Sequence, residues 1–387
     1  MAEPLIKGWC PGALRPMMSG DGLVVRVRPR GGRLTPEEAA GIAQLAAAHG
    51  NGFIDLTSRA NVQVRGVTED SHPRLIVGLA SLGLIDESGE AEARRNIVVT
   101  PFWSGDDSSP RIDAALACAL AAPDAPGLPG KFGFAVDCGN APVLSAVPAD
   151  IRIERSGDAG LICRADGATA GRRVTEATAV DAAIELARWF IASGGDDGGR
   201  GRMSAHLAKG ARLPADYLES KGQPFTAYAP EPGSVDGGFL AGFEFGQMRT
   251  ETLAALARRG ALRVTPWRML LIEGEQIDAD EPGLITTSDN PMLRVIACTG
   301  KPGCLQALQP TRNLASALAP HVPIGSLLHV SGCTKGCAHP AAAAMTLTAV
   351  SAGFDFVRQG RADGAPFRHG LTASNLIAHP GILTEAL

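Results

Sequence analysis

The pattern that most restricts this chain is a unit that occurs twice. GLVVRVRP (Gly22 to Pro29) alternates apolar and basic residues, as a strand with one buried face does. LTPEEAAGIAQLAAAHGNG follows, with Thr35 as a helix N-cap, Pro36 at the first helical position, two early glutamates and a stop at Gly50. FIDLTSRANVQVRGV then reads as two strands around a polar kink at Thr57 to Asn61. The same order returns from Gly237. GGFLAGFEFGQM is strand-like, RTETLAALARRG is a helix closed by Gly260, and ALRVTPWRMLLIEGE is strand, kink, strand. The kinks match as well, Thr57-Ser58-Arg59 against Thr265-Pro266-Trp267-Arg268, each with an arginine. Two such units in one order imply an internal duplication. The period is far too long for a solenoid, so a pair of half-domains about a pseudo-two-fold axis is expected.

Between the units lie a helical stretch, AVDAAIELARWFIA, and the glycine-rich SGGDDGGRGR (Ser193 to Arg202). Because that segment follows a helix and not a strand, it is expected to be a flexible connector and not a phosphate cradle. No G-x-G-x-x-G stands between a strand and a helix, so a Rossmann dinucleotide unit is not expected. A net charge of −4 argues against a general nucleic-acid coat. The N-terminus shows no basic region followed by an apolar run, and no stretch is apolar for long enough to span a bilayer. The expectation is a cytoplasmic protein.

Eight cysteines in such a chain suit metal or thiol chemistry better than a disulfide framework. Four are paired by spacing. Cys298 and Cys304 have five residues between them, Cys333 and Cys337 have three, and 28 residues separate the pairs. Four thiolates are what a cubane 4Fe-4S cluster takes, one per iron. Structural zinc, for which the five-residue spacing is atypical, stays open. So do four unrelated buried cysteines and a catalytic disulfide. Cys118 and Cys163 sit in apolar surroundings and are expected in the core. Cys138 has no paired spacing, and Cys10 is ambiguous. His339 is the histidine best placed by sequence to serve a metal, with a turn-stabilising role before Pro340 as the blander reading.

The cysteine pattern and the duplicated unit together resemble the sulfite and nitrite reductase family, over nearly the whole chain. That resemblance implies an α+β fold with two ferredoxin-like half-domains plus two α/β domains about a pseudo-two-fold internal repeat. The units would be residues 1–88 (first half-domain), 89–215 (first α/β domain), 216–286 (second half-domain) and 287–387 (second α/β domain, with the 4Fe-4S cluster). It also implies Cys298, Cys304, Cys333 and Cys337 as cluster ligands, Cys337 bridging to a macrocycle. LTSRANVQVRG resembles the family's T-x-R-x-x-x-Q segment, which places Arg59 at the macrocycle and anion site. EARRNIVVTP resembles its R-N segment and places Arg95 there. LPGKFGF resembles L-P-x-K-F-K, which places Lys131 there but puts Gly133 where the family has a second lysine. Arg268 enters through the internal repeat alone. Arg26, Arg28 and Arg65 read as solvated surface charges, although an inward strand face could bring any of them to substrate. Arg200 and Arg202 resemble a basic segment of the family, with a solvated linker equally open.

Within that superfamily, GWCPGALRPMMSGDGLVVRVRP and SGCTKGCAHP resemble the precorrin-3B synthase branch of aerobic cobalamin biosynthesis. The branch implies dioxygen-dependent hydroxylation of the tetrapyrrole precorrin-3A at C20 with γ-lactone formation. It implies a 4Fe-4S cluster and a mononuclear non-haem iron. Electrons would come from a separate NAD(P)H-dependent reductase or a ferredoxin. Sirohaem belongs to the alternative reading, a ferredoxin-dependent nitrite or sulfite reductase.

Overall fold

The computed structural model describes residues 10–140, 142–223, 228–274 and 283–384. Gly8 and Trp9 of the N-terminal segment, and Glu275 at the end of the second repeat, lie outside them. Helix Pro36–His49 starts where the sequence indicates. Thr35 Oγ1 accepts from the Glu38 N–H at 3.1 Å, and Glu38 accepts from the Thr35 N–H at 2.7 Å. Its buried face of Ala39, Ile42, Ala43 and Ala46 has helical spacing. That helix packs against Thr250–Ala257, its counterpart in the second unit.

Two five-stranded antiparallel sheets carry the repeat. The first runs Met17–Ser19, Gly22–Val27, Val62–Val67, Phe53–Leu56, Gln247–Arg249. The second runs Gly233–Val235, Gly238–Gly242, Met269–Glu273, Leu262–Val264, Arg33–Leu34. Each sheet therefore takes its last strand from the other half of the chain. Met248 pairs with Ile54, and Leu34 pairs with Leu262. This corrects the expectation of one continuous strand from Gly237 to Met248. The backbone turns at Glu244–Gly246, where Phe245 and Gly246 have φ of 57° and 68°, and it leaves for the other sheet. Gly31 and Gly32 make the matching turn in the first half, at 62° and 67°.

The kinks obey one rule in both halves. Thr57 Oγ1 accepts from the N–H groups of Arg59 and Asn61, and Thr265 Oγ1 accepts from those of Trp267 and Met269. Arg59 thus corresponds to Trp267, not to Arg268. The two kink arginines are one residue out of register, contrary to the reading that paired them.

The other two sheets share a plan. Ile97–Val99, Phe134–Asp137 and Ile151–Arg155 are parallel, and Leu161–Ala165, Ala170–Val174 and Ser220–Lys221 continue antiparallel. Val295–Ala297, Leu328–Ser331 and Ala343–Val350 are parallel, followed by antiparallel Gly353–Gly360 and Arg368–Leu371. The α+β class is borne out. Among the described residues no helix is long and apolar enough to cross a membrane.

Three arginines read as surface charges are buried: Arg26, Arg28 and Arg65. Strand alternation marks a polar face, but here that face is covered by the N-terminal segment and the cysteine loops. Cys118 is exposed on its helix, against expectation, while Cys138 and Cys163 are buried.

Candidate functional site

The two cysteine pairs follow adjacent parallel strands. Cys298 and Cys304 come after Val295–Ala297, and Cys333 and Cys337 come after Leu328–Ser331. Topology thus delivers both loops to the same sheet end. The Gly332 N–H donates to Cys298 Sγ at 3.1 Å, which ties one pair to the other. Gly300 has φ of 66°, and a Cβ there would stand 2.5 Å from Thr311 Oγ1, so only glycine fits that turn. Cys337 is exposed on its solvent side. Burial on its protein side, then the charges of Cys298, Cys333 and Cys304, push its thiol up to about 11 against the pull of Lys335. Burial likewise raises Cys333. Cys337 thus senses the other three cysteines. Among the described residues no three His, Cys, Asp or Glu side chains converge on a single ion. Tetrahedral zinc needs its sulfurs about 2.3 Å from one point. A cubane, with one thiolate per iron, asks only that four thiols face a common space, and this donor set fits that.

The first half-domain braces the Cys304 loop. Ser19 Oγ and the Gly20 N–H donate to the Gly303 carbonyl at 2.6 and 3.2 Å, and Arg65 Nη2 donates to it at 3.1 Å. Arg65 is itself held by Asp21 at 2.6 Å. Its role was missed because a strand arginine in an alternating run reads as solvent-facing.

A second group gathers on the Arg59 side. Arg59 Nη2 donates to the Lys131 carbonyl at 3.1 Å. Burial lowers its pKa, with Arg202 and Arg26 adding to the effect and Cys10 and Asp150 opposing it. Cys10 is placed by its own segment. Glu92 accepts from the Ala13 and Leu14 N–H groups, and the Gly12 carbonyl accepts from the Arg26 N–H at 3.1 Å. Burial alone would raise the Cys10 thiol, but Arg26, Arg59 and Lys131 outweigh it and lower its pKa. Arg26 spends Nε and Nη2 on Gln63 Oε1, at 3.1 and 2.8 Å, and its Nη1 has no hydrogen-bond partner. The structure thus brings Arg59 and Lys131 together and adds Arg26, Cys10 and Arg202. Only the short distance in sequence between Cys10 and the Arg26 strand hinted at this.

Arg95 is not delivered to that group. It forms a bidentate pair with Asp86 at 2.8 and 2.9 Å and donates to the Arg28 carbonyl. Its charge is already satisfied by a carboxylate nine residues upstream. Arg268 lies instead beside the cysteines, donating from Nη2 to the Ala338 carbonyl at 3.2 Å. Burial lowers its pKa, with Asp55 opposing and Arg312 adding. His329 is fully buried with neither ring nitrogen partnered, and its ring lies 5.7 Å from that of His339. Burial, then His339 and Arg268, push it down to about 4. As placed, these histidines and their neighbours do not supply the three converging ligands of a mononuclear iron.

Position 133 takes a side chain only if Asn96 shifts. A Cβ there would stand 2.7 Å from Asn96 Nδ2 and 3.0 Å from the Asn96 carbonyl, and Asn96 is anchored on Phe132. The glycine-rich segment is also not a loose connector. Arg202 Nε reaches Asp150 at 2.9 Å, and the segment walls a cavity of about 400 Å³ with Lys131. None of the four paired cysteines lines that cavity.

Residues 15–82 match the family model described as the nitrite/sulfite reductase ferredoxin-like half domain. The chain is 30% identical to a precorrin-3B synthase of Sinorhizobium, over 93% of this chain and 84% of that protein. It is 25% identical to the ferredoxin–nitrite reductase of Synechococcus elongatus, over 84% of this chain and 76% of that one. The solved structure of the Mycobacterium tuberculosis NirA protein superposes with a TM-score of 0.62 at 17% identity, covering 92% of this chain and 79% of that one. The last likeness speaks to the fold, which is of nitrite/sulfite reductase type.

Proposed function

Because the chain belongs to the precorrin-3B synthase family, within the nitrite/sulfite reductase superfamily, we propose that it hydroxylates precorrin-3A at C20 with γ-lactone formation in aerobic cobalamin biosynthesis. The likeness to the Sinorhizobium enzyme along nearly the whole chain carries this reading. One atom of dioxygen enters the ring, the other leaves as water, and an external donor supplies two electrons with two protons. Cys298, Cys304, Cys333 and Cys337 would hold a 4Fe-4S cluster, which when bound passes electrons one at a time. A separate NAD(P)H-dependent reductase or a ferredoxin would feed it. Among the described residues no His, Cys, Asp and Glu side chains converge as the ligands of a mononuclear iron would.

The remaining work falls to side chains. Arg59 and Lys131 bind carboxylates of the substrate through charge-assisted hydrogen bonds, with buried Arg26 behind them adding positive charge. Arg268 orients the ring edge nearest Cys337. Arg95 supports Arg28 and the Asp86 loop.

The alternative is a sirohaem-dependent nitrite or sulfite reductase, to which the Synechococcus relative belongs. The shape of position 133 weighs against it. Small-anion reduction in that family uses two lysines, and here the second position is a glycine with Asn96 packed against it.

The deciding experiment supplies purified protein with reductant, precorrin-3A and isotopically labelled dioxygen. The product should carry one labelled oxygen. Unlabelled product, or stoichiometric sirohaem bands together with nitrite turnover, would sink the proposal.

A further inference from the structure

We propose that Cys10 is a reactive thiolate, held among buried arginines, that takes hydrogen peroxide as its oxidant and becomes a reversible sulfenic acid. This modification site is separate from the four paired cysteines and lies on the Arg59 side of the molecule.

The segment after Cys10 is fixed at several points. The Gly12 N–H donates to the Arg15 carbonyl at 2.9 Å, and the Gly12 carbonyl accepts from the Arg26 N–H at 3.1 Å. His72 Nε2 lies 2.9 Å from the Ala13 carbonyl. A Cβ on Gly12 would stand 2.2 Å from Glu92 Oε2, so the backbone packs directly on that carboxylate. Cys10 therefore starts from an anchored turn beside the Arg26 strand.

Two guanidinium groups lie next to it with donors unspent. Arg26 and Arg28 are only 8% and 6% exposed, and Arg26 Nη1 and Arg28 Nε have no hydrogen-bond partner. A buried donor without an acceptor is costly, and nearby negative charge offsets that cost. Burial pushes Arg28 down to about 10; Glu92 and Cys10 oppose the fall, while Arg26 and Arg95 add to it. The sulfur feels the converse. Burial would raise its thiol, but the charges of Arg26, Arg59 and Lys131 together lower it. Cys138 goes the other way, since burial pushes it up to about 11 against Ser108 and Ser109. Cys10 is half-buried and Lys131 is exposed, so a small solute can reach the sulfur. A thiolate among fixed cations and open to solvent is the form that attacks peroxide.

In that step the thiolate attacks one peroxide oxygen. The S–O bond forms as the O–O bond breaks, and sulfur gives up two electrons. The departing hydroxide, its charge steadied by Arg59 and Lys131, takes a proton from solvent and leaves as water. Dioxygen that gains two electrons and two protons without entering a substrate leaves as hydrogen peroxide, so an oxygenase of the proposed kind meets this oxidant at its own site. The reactivity of Cys10 does not itself depend on that reading.

The test labels the purified protein with limiting iodoacetamide at a series of pH values and counts each cysteine by peptide mass spectrometry. Cys118, exposed on its helix, is the internal reference. At pH 7 Cys10 should react about tenfold faster than Cys118 or more. Lys131→Gln and Arg59→Gln, each checked for fold by circular dichroism, should slow Cys10 about threefold or more at pH 7 and move its pH midpoint up. Hydrogen peroxide followed by dimedone should mark Cys10 and not Cys118, and dithiothreitol given before dimedone should abolish the mark. Cys10 labelling no faster than Cys118 overturns the proposal. So do rates that neither variant changes, or peroxide that leaves Cys10 unmarked. Each of these outcomes is independent of whether labelled oxygen enters precorrin-3A, so either reading can fail alone.

Discussion

Ala60 and Arg268 occupy the same place in the two halves of the chain. Each stands three residues past a threonine that caps its kink, and each has a left-handed backbone, with φ of 52° and 62°. One half fills the position with a methyl group. The other puts a guanidinium there, next to Cys337. A non-glycine residue in that region is strained, and here both sites of the duplicated pair keep the strain, so the kink itself demands it.

Arg268→Gly should therefore be more stable than Arg268→Ala by about 1 kcal/mol, although both lose the same guanidinium. Urea unfolding of the two variants measures this. Equal stabilities would mean that Arg268 is held without strain.

Cys333→Ser should lose iron and sulfide along with all turnover, because a serine hydroxyl cannot replace a thiolate on a cluster. Iron and acid-labile sulfide counts, read beside the visible spectrum, check it. An intact cluster in the variant would remove Cys333 from the ligand set.

Arg65→Met should destabilise the protein by about 3 kcal/mol, since Asp21 and Asp55 lose a buried partner. The effect should reach the metal site, because the same arginine donates to the Gly303 carbonyl next to Cys304. Denaturant unfolding gives the first quantity, and the rate of cluster loss to a chelator gives the second. A variant that is destabilised but holds its cluster as firmly as wild type would separate the two.

Gly133→Lys should cost about 1–3 kcal/mol by displacing Asn96 from Phe132, and should not confer nitrite or sulfite reduction. Thermal unfolding and a reductase assay with an artificial donor decide it. A stable variant that reduces either anion would show that position 133 alone divides the two chemistries.

Stability should also depend on pH in a definite direction. Burial pushes Asp113 and Asp137 up to about 6; Arg95 and the Gly31 backbone oppose it at Asp113, and the Leu144 and Val143 N–H groups oppose it at Asp137. Asp137 Oδ1 has no hydrogen-bond partner. Their folded pKa lies above the unfolded value of 3.8, so the folded chain holds these protons more tightly. Their contribution is most favourable below 3.8 and is lost as pH rises through about 6. Glu273 runs the other way. Arg33 and then Arg263, against burial, hold it at about 2, so its contribution is present above 4.5 and lost as pH falls toward 2. Asp137→Asn should flatten the decline between pH 4 and 6 in denaturant unfolding. An unchanged slope would show that Asp137 is ionised throughout.

Local chemistry was legible where it acts over a few residues. Thr35 and Glu38 announce a helix start, and the paired cysteines announce two loops that meet at one sheet end. What escaped depends on neighbours far along the chain. Arg26 and Arg65 look like outward strand positions until another segment covers that face. Arg95 looks like an anion ligand until Asp86 neutralises it. Segment 193–202 looks flexible because glycine suggests freedom, whereas here glycine permits contact. The kink arginines looked equivalent because letters were aligned, and only the threonine hydrogen bonds fix the true register.

The traded edge strands have a consequence for ancestry. A single half, made alone, would lack the last strand of its own sheet and would hold out a strand that fits only a second copy. Two such halves would complete each other, so an unfused form would need a second copy with interlocked arms. Joining the halves in one chain freed each to diverge. One of the two equivalent kinks kept alanine while the other carried arginine to the cysteines, an asymmetry that no pair of identical subunits can reach.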